Sequence, residues 1–357
     1  MTDRHGDLVA LTKELVRISS VSRDEAEIAD FVEAALRANS DLETIRIQNN
    51  LVAVARGFDP AESLIVAGHL DTVPPTGSMP DLGEADVAVG VGAVDMKGGL
   101  AVMLALAGAK PTKAIKFVFY ACEEISRHYS GLLEIERADP RLLVGRTAIV
   151  MEPTSAMIEA GCQGTAKFRA KVRGVRAHSA RPWMGLNAIH RAHALLGWLN
   201  EYRAVEYEID GYRYREALSA VGISGGIAGN VVPDEVVLDI NYRFAPRGRD
   251  ADAVEEIRSK IASCLDASVG DTVETIEWAP SAPPNLSNPV IAKLTRLAGG
   301  KVAAKLGWTD VAFFWERKIP ACNFGPGDPL MAHTDYEVVT RKQLDEVANA
   351  MFALVYP

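Results

Sequence analysis

Five side chains in this sequence have types and settings suited to binding metal ions: His69, Asp95, Glu124, Glu152 and His333. His69 closes the apolar run Ser63-Leu-Ile-Val-Ala-Gly and is followed by Leu70-Asp71. The run from Ile115 to Tyr120 passes through Ala121-Cys122 into Glu123-Glu124, and Ala148-Ile-Val-Met ends in Glu152. Asp95 follows the turn Gly90-Val-Gly-Ala-Val just before a helical stretch, and His333 lies in Pro329-Leu-Met-Ala-His-Thr. Two imidazoles and three carboxylates form a hard-to-borderline donor set, suited to Zn2+ with Co2+ or Mn2+ as substitutes. Five ligands exceed the three that one catalytic zinc takes beside its water. They match two ions sharing a bridging carboxylate. Such a pair, roughly 3.5–4 Å apart, binds a hydroxide and polarises a carbonyl. Glu123 is then the spare carboxylate, placed to take a proton from the water. Asp71, two residues past His69, is placed to accept the other ring N–H and fix the tautomer.

Taken singly, each residue has a plainer reading. A strand-end histidine packs in a loop, a Glu-Glu pair is a solvated surface feature, and an aspartate before a helix is an N-cap. Their coincidence sets them apart. Ligands of open α/β sheets bind beyond the carboxyl ends of the strands, and three apolar runs here deliver a His or a carboxylate at that end. The glycines of Gly90-Val-Gly-Ala-Val-Asp invite a dinucleotide-loop reading. Asp95, however, stands where the third glycine belongs, and a carboxylate does not favour phosphate.

The elements that must hold these residues begin with short apolar runs at Leu51 to Val54, Leu64 to Ala67, Ile115 to Tyr120 and Ala148 to Met151. Helical stretches such as Gly99 to Ala109 separate them, which indicates an α/β sheet that is at least partly parallel. Ser22 to Ala38 is predicted as an amphipathic helix, with Ser22 and Glu25 as a capping box. The texture changes after about Gly164. Lys167 to Arg173, Ala217 to Ile223 and Val236 to Phe244 read as strands, and Asn187 to Tyr202 and Asp252 to Leu265 as helices. After the Pro-rich stretch Ala279 to Pro284, helical and strand signals resume from Val290 to Phe324, and a final helix starts at Arg341. The expected architecture is a catalytic α/β domain with a mixed, largely parallel sheet, formed by residues 1–164 and 279–357. An α+β lid or dimerisation domain, residues 165–278, is expected to be inserted in it.

Composition narrows the field. The 357 residues suit about two domains. With 48% hydrophobic and 24% charged residues, disorder, collagen repeats and coiled coil are excluded as the main architecture. Lys plus Arg number 38 against 47 Asp plus Glu, a net charge of −9 with no basic run, so no nucleic-acid partner is expected. No run of about 18 apolar residues offers a membrane span. The polar start lacks signal-peptide features. Cys122, Cys162, Cys264 and Cys322 are scattered without a C-x-x-C pair, which suits reduced thiols in a cytoplasmic protein.

The segments Gly68-His-Leu-Asp-Thr-Val-Pro74, Gly90-Val-Gly-Ala-Val-Asp-Met-Lys-Gly-Gly99, Glu123-Glu124, Glu152-Pro-Thr154, Arg176-Ala-His-Ser179 and Ala332-His-Thr-Asp335 resemble, in order, the motifs of the M20 family of metal-dependent amidohydrolases and peptidases. The resemblance implies one metal held by His69, Asp95 and Glu152 and a second held by Asp95, Glu124 and His333. Asp95 would bridge, and Glu123 would serve as general base and later as acid. It also implies a lid that pairs two subunits into a homodimer, with His178 reaching the neighbouring subunit's site to stabilise the carbonyl oxyanion.

The segments Gly161-Cys-Gln-Gly-Thr165, Gly225-Gly-Ile-Ala-Gly-Asn-Val-Val-Pro233, Asn241-Tyr-Arg-Phe244 and Asn323-Phe-Gly-Pro-Gly-Asp328 resemble a branch of the family that removes a succinyl group from an N-acylated diamino acid. The implied partner is a small-molecule N-acyl amino acid. Arg243 would offer its fixed fork of donors to the acyl carboxylate. Asn230 would donate near the same group, and Thr309 and Asp310 would meet the amine end. Other deacylases or peptidases of the family stand as alternatives, although an acetyl group gives Arg243 no charge to bind. A non-catalytic metal-binding dimer is a further alternative, set against every expected ligand position being filled.

Overall fold

A computed structural model describes residues 6–77 and 85–356. The chain divides into two compact units. Unit 1 comprises Met1–Gly161, Pro284–Ala303 and Thr309–Pro357, and unit 2 comprises Cys162–Pro283 and Ala304–Trp308.

Unit 1 is built on an eight-stranded sheet. Its order is Leu42–Ile47, Asn50–Ala55, Ile115–Tyr120, Leu64–His69, Thr147–Val150, Ala321–Asn323, Ile158–Ala160 and Val302–Ala304. The central strands Ile115–Tyr120, Leu64–His69, Thr147–Val150 and Ala321–Asn323 run parallel, so their carboxyl ends share one edge. Leu64–His69 and Ile115–Tyr120 are buried along their whole length, which is why they read as unbroken apolar runs rather than alternating ones. Lys116 is the exception within that run. Its Nζ reaches the carbonyls of Arg141 and Val144 at 3.1 and 2.6 Å, so the buried charge is hydrogen-bonded.

Helix Gly98–Gly108 is apolar all round and lies within the core. Its second residue must be glycine. A Cβ on Gly99 would come 2.3 Å from the carbonyl oxygen of Met151, just before Glu152. The last helix, Arg341–Val355, carries a complete capping box between Thr340 and Gln343.

The capping box expected at Ser22 and Glu25 does not form. The helix there runs from Ala26 to Arg37 with no side-chain cap. The Ser22 hydroxyl instead donates to Asp71 Oδ2 at 2.7 Å, and Glu25 Oε1 accepts from the Arg23 amide and the Cys122 thiol. Both side chains are drawn to the carboxyl edge of the sheet, where charge-assisted bonds outweigh a cap.

Unit 2 has a four-stranded antiparallel sheet ordered Ala217–Gly225, Glu235–Phe244, Gly164–Arg173, Thr272–Ala279. Strand Glu235–Phe244 alternates strictly, burying Val236, Leu238, Ile240, Tyr242 and Phe244. Helix Asp250–Ser263 adds Val254, Ile257 and Ile261 to the same core. A hairpin of Glu206–Ile209 with Tyr212–Arg215 lies outside the expected elements. Its turn residues Asp210 and Gly211 take φ of 52° and 83°, the conformation a tight two-residue hairpin demands. Among the described residues, no helix is long and apolar enough to cross a membrane.

Candidate metal centre

The carboxyl edge of the unit 1 sheet gathers the metal-capable residues. His69 ends its strand and is buried. Its Nδ1 lies 2.9 Å from the main-chain carbonyl oxygen of Asp71, which leaves Nε2 facing Asp95 Oδ1 at 3.0 Å and Glu152 Oε1 at 3.9 Å. The other oxygen of Asp95, Oδ2, faces His333 Nε2 at 3.5 Å, and that nitrogen lies 3.0 Å from Glu124 Oε2. One carboxylate therefore turns each oxygen to a different imidazole. Ligand atoms of His69, Asp95 and Glu124 lie within 4.8 Å of one another.

Local structure explains these placements. Asp95 sits in the turn Ala93–Lys97, entered through Gly92 at φ 82°. Cys122, at φ 59°, bends the chain out of strand Ile115–Tyr120, and the next two amides turn to the carboxylate of Asp71. The amides of Glu123 and Glu124 donate to its Oδ1 and Oδ2 at 3.0 and 3.1 Å. The tautomer-fixing bond of His69 thus runs to the carbonyl of Asp71, while the carboxylate, 3.6 Å from Nδ1, anchors the Glu123-Glu124 backbone.

The charge balance of the cluster calls for cations. Asp71, Asp95, Glu123, Glu124 and Glu152 surround two imidazoles. Burial, then the charges of Glu152, Glu124 and Asp310, hold the Glu123 carboxyl well above the usual carboxylate range, against the pull of His69. Hydrogen bonds to Asp95 and Glu124 push the His333 imidazole up to about 10. Burial works against ionisation of Asp95, but its bonds with His333 and His69 hold it below the normal range. Glu124 Oε1 is buried with no hydrogen-bond partner. A buried carboxylate oxygen without a donor is costly, and a cation beside it removes that cost. The donor set and this orphaned oxygen both fit divalent metal.

The other expected residues fall in two places. In unit 1, Thr309 and Asp310 are buried; the Thr309 hydroxyl donates to Asn323 Oδ1 at 2.9 Å, and burial pushes Asp310 up to about 6. In unit 2, His178 is exposed, with Nδ1 accepting from the Ala180 amide at 3.0 Å. Asn230 lies beside it, its carbonyl accepting from the Ser179 amide at 2.9 Å. Arg243 lines a cavity of about 500 Å3 with Gln163, Arg203, Arg215 and Glu216.

Ser22 and Glu337 were not anticipated. Ser22 binds Asp71, as described above. Glu337 Oε2 accepts from the Val94 and Asp95 amides at 2.9 and 3.0 Å, and its Oε1 from the His333 amide at 3.1 Å. The only signal in the sequence was an acid four residues beyond His333, just before a short apolar run.

A buried cluster of carboxylates and two imidazoles at the carboxyl edge of a mixed sheet is the setting of a metal centre, and the chain belongs to peptidase family M20/M25/M40, a class of metal-dependent hydrolases, whose sequence profile matches residues 65–356. It is 48% identical over 336 residues to a putative succinyl-diaminopimelate desuccinylase of Mycobacterium tuberculosis, covering 93% of each chain. It is 40% identical over 356 residues to succinyl-diaminopimelate desuccinylase of Corynebacterium glutamicum, covering 97% of this chain and 95% of that one. A tripeptidase from Staphylococcus aureus shares the fold, with a TM-score of 0.79 at 21% identity over 98% of this chain and 96% of the other.

Proposed function

We propose that the protein hydrolyses the amide of N-succinyl-L,L-diaminopimelate to succinate and L,L-diaminopimelate, a precursor of lysine and of the cell wall. The observation that carries this reading is the identity of 48% and 40%, over nearly the whole chain, to two desuccinylases. Membership of the family makes the protein a metal-dependent hydrolase; the identity and number of the ions are part of the proposal. His69, Asp95 and Glu152 would hold one Zn2+, and Asp95, Glu124 and His333 a second, Co2+ or Mn2+ being possible substitutes. When bound, such a pair supplies a Lewis acid and a water acidic enough to ionise near neutral pH.

The chain's own residues do the rest. Glu123 takes the proton of the attacking water and returns it to the departing amine. Asp71 holds the main chain of Glu123 and Glu124 by two amides, which fixes where both carboxylates start. His178 reaches the neighbouring subunit's site and donates there to the oxyanion as the carbonyl becomes tetrahedral. Arg243 receives the succinyl carboxylate; Asn230, beside His178 at the other end of the ladder of Ala217–Gly225 with Glu235–Phe244, would reach the same group from the neighbouring subunit, and Thr309 and Asp310 serve the diaminopimelate end. Cys122, Cys162 and Cys322 are buried and form no disulfide, which supports a cytoplasmic enzyme.

The test is release of succinate by metal-stripped protein before and after zinc is added, with N-acetyl-L-ornithine run in parallel. Zinc-dependent turnover of the succinyl compound alone is expected. Turnover of the acetyl compound alone would overturn the substrate and the role of Arg243. Arg243→Met is expected to raise KM for the succinyl compound by about 10–100-fold, the loss of one charge-assisted contact of roughly 1.5–3 kcal/mol.

We infer further that unit 2 pairs two copies of the chain, with residues 165–278 as the dimerising insertion and lid. Support comes from strand Ala217–Gly225. It lies at the edge of its sheet with main-chain groups open on one side, and it exposes Val221 and Ile223. An exposed apolar edge strand is a pairing surface unless it is blunted. Sedimentation is expected to give twice the 38.5 kDa chain mass. Val221→Lys with Ile223→Lys is expected to give the single-chain mass; a wild-type protein that sediments as a monomer would refute the inference.

A further inference from the structure

Glu337 is buried and sits where two distant segments of unit 1 meet. The strand pair Val338–Thr340 with Val87–Val89 brings it there: Val338 lies opposite Val89, so the residue before Val338 faces the loop after Val89. The main-chain oxygen of Glu337 accepts from the Gly90 amide at 3.0 Å, which closes that register. Its side chain then works in two directions. Oε2 takes the amides of Val94 and Asp95, and Oε1 takes the amide of His333.

Two of these three amide donors belong to residues that carry atoms of the proposed second metal position. Asp95 carries the shared carboxylate and His333 the imidazole. The His333 main chain has φ 64°, a left-handed conformation that costs a residue with a Cβ roughly 1–2 kcal/mol. Its amide bond to Glu337 is a charge-assisted contact that offsets a cost of this size. The buried ammonium of Lys97, whose Nζ donates to the Ile18 carbonyl at 2.8 Å, supplies opposite charge to the same region.

We propose that Glu337 is a positioning residue for the metal centre: its carboxylate ties the Asp95 turn to the His333 loop, and the position formed by Asp95, Glu124 and His333 closes only while both of its oxygens are engaged. The inference rests on the two-metal reading above. A glutamine at this position has one acceptor oxygen and one NH2 donor. With the oxygen kept on the two amides of Val94 and Asp95, the NH2 faces the His333 amide, donor against donor. The defect therefore falls on the His333 side.

Calorimetric titration of metal-free protein with zinc, beside thermal melting with and without zinc, tests this. Wild-type protein is expected to take up two equivalents. Glu337→Gln is expected to keep one tight site and bind the second ion 10–100-fold more weakly, the range found when a partner of a metal ligand is removed. The rise in melting temperature on adding zinc is expected to shrink accordingly. A purely structural role would lower the melting temperature with and without zinc alike and leave both sites intact. Glu337→Asp keeps the charge and both oxygens but is one methylene short of spanning the two loops, so it too is expected to weaken the second site, by less. Either variant binding two zinc ions with wild-type affinity overturns the proposal, and if Glu337→Gln does not fold, the aspartate variant decides. Wild-type protein that binds no zinc, or one, would instead overturn the two-metal reading on which the proposal rests.

Discussion

Glu123→Gln is expected to lower kcat by 10²- to 10⁴-fold, the usual contribution of a positioned general base, while leaving two zinc ions bound and KM within a few-fold. The isosteric amide cannot accept the proton of the attacking water. The substitution also leaves the loop in place, because Asp71 holds this residue through its main-chain amide rather than its side chain. Steady-state kinetics on the succinyl substrate, with metal content measured on the same sample, checks both halves. A variant with near wild-type kcat removes Glu123 from the role of base. A variant that is inactive and has also lost zinc makes it a ligand instead.

Asp95→Ala is expected to have the broader effect. Its two oxygens face His69 and His333 separately, so on the proposed reading its loss takes a ligand from both metal positions at once. Zinc content at micromolar metal is expected to fall from two per chain to below one. Activity is expected to fall by about 10⁴-fold or more, or roughly 5.4 kcal/mol of barrier. His333→Ala is the contrast, expected to retain one ion, since His69, Asp95 and Glu152 are untouched. Stability should follow occupancy: a site saturated at one hundred times its dissociation constant adds about 2.7 kcal/mol to folding. The zinc-dependent part of the melting temperature is therefore expected to vanish in Asp95→Ala and to shrink in His333→Ala. If Asp95→Ala still binds two ions, the shared carboxylate is not a bridge.

The apolar runs of the parallel strands were legible because both faces of the sheet are covered, which leaves few polar positions, Lys116 among them, to break the pattern. His69, Glu124 and Glu152 were legible for a related reason: a charged residue that ends such a run has one place to go, the carboxyl edge of the sheet. Ser22 and Glu25 were misread because a local rule, the capping box, competed with a partner 49 residues away, Asp71, that no window around Ser22 contains. The hairpin at Asp210-Gly211 was missed although its turn dipeptide is characteristic; its strands, Glu-Tyr-Glu-Ile and Tyr-Arg-Tyr-Arg, are short and largely exposed and carry little apolar signal. Glu337 was illegible in kind. Its partners are main-chain amides, which nearly every residue has, so nothing in the sequence marks the donors.

The strand Ala321–Asn323 lies in the interior of the unit 1 sheet, between Thr147–Val150 and Ile158–Ala160, although it is made long after both. At about 5–20 residues per second of synthesis, the stretch of about 180 residues from Glu152 to His333 takes roughly 10–35 seconds to emerge. Through most of that interval the nascent chain holds His69, Asp95, Glu124 and Glu152 but has a gap in its sheet and lacks His333, the second of the two imidazoles. On the proposed two-metal reading, the first ion position can be assembled on the ribosome before the second exists, and commitment to the finished centre waits for the last part of the message to be read.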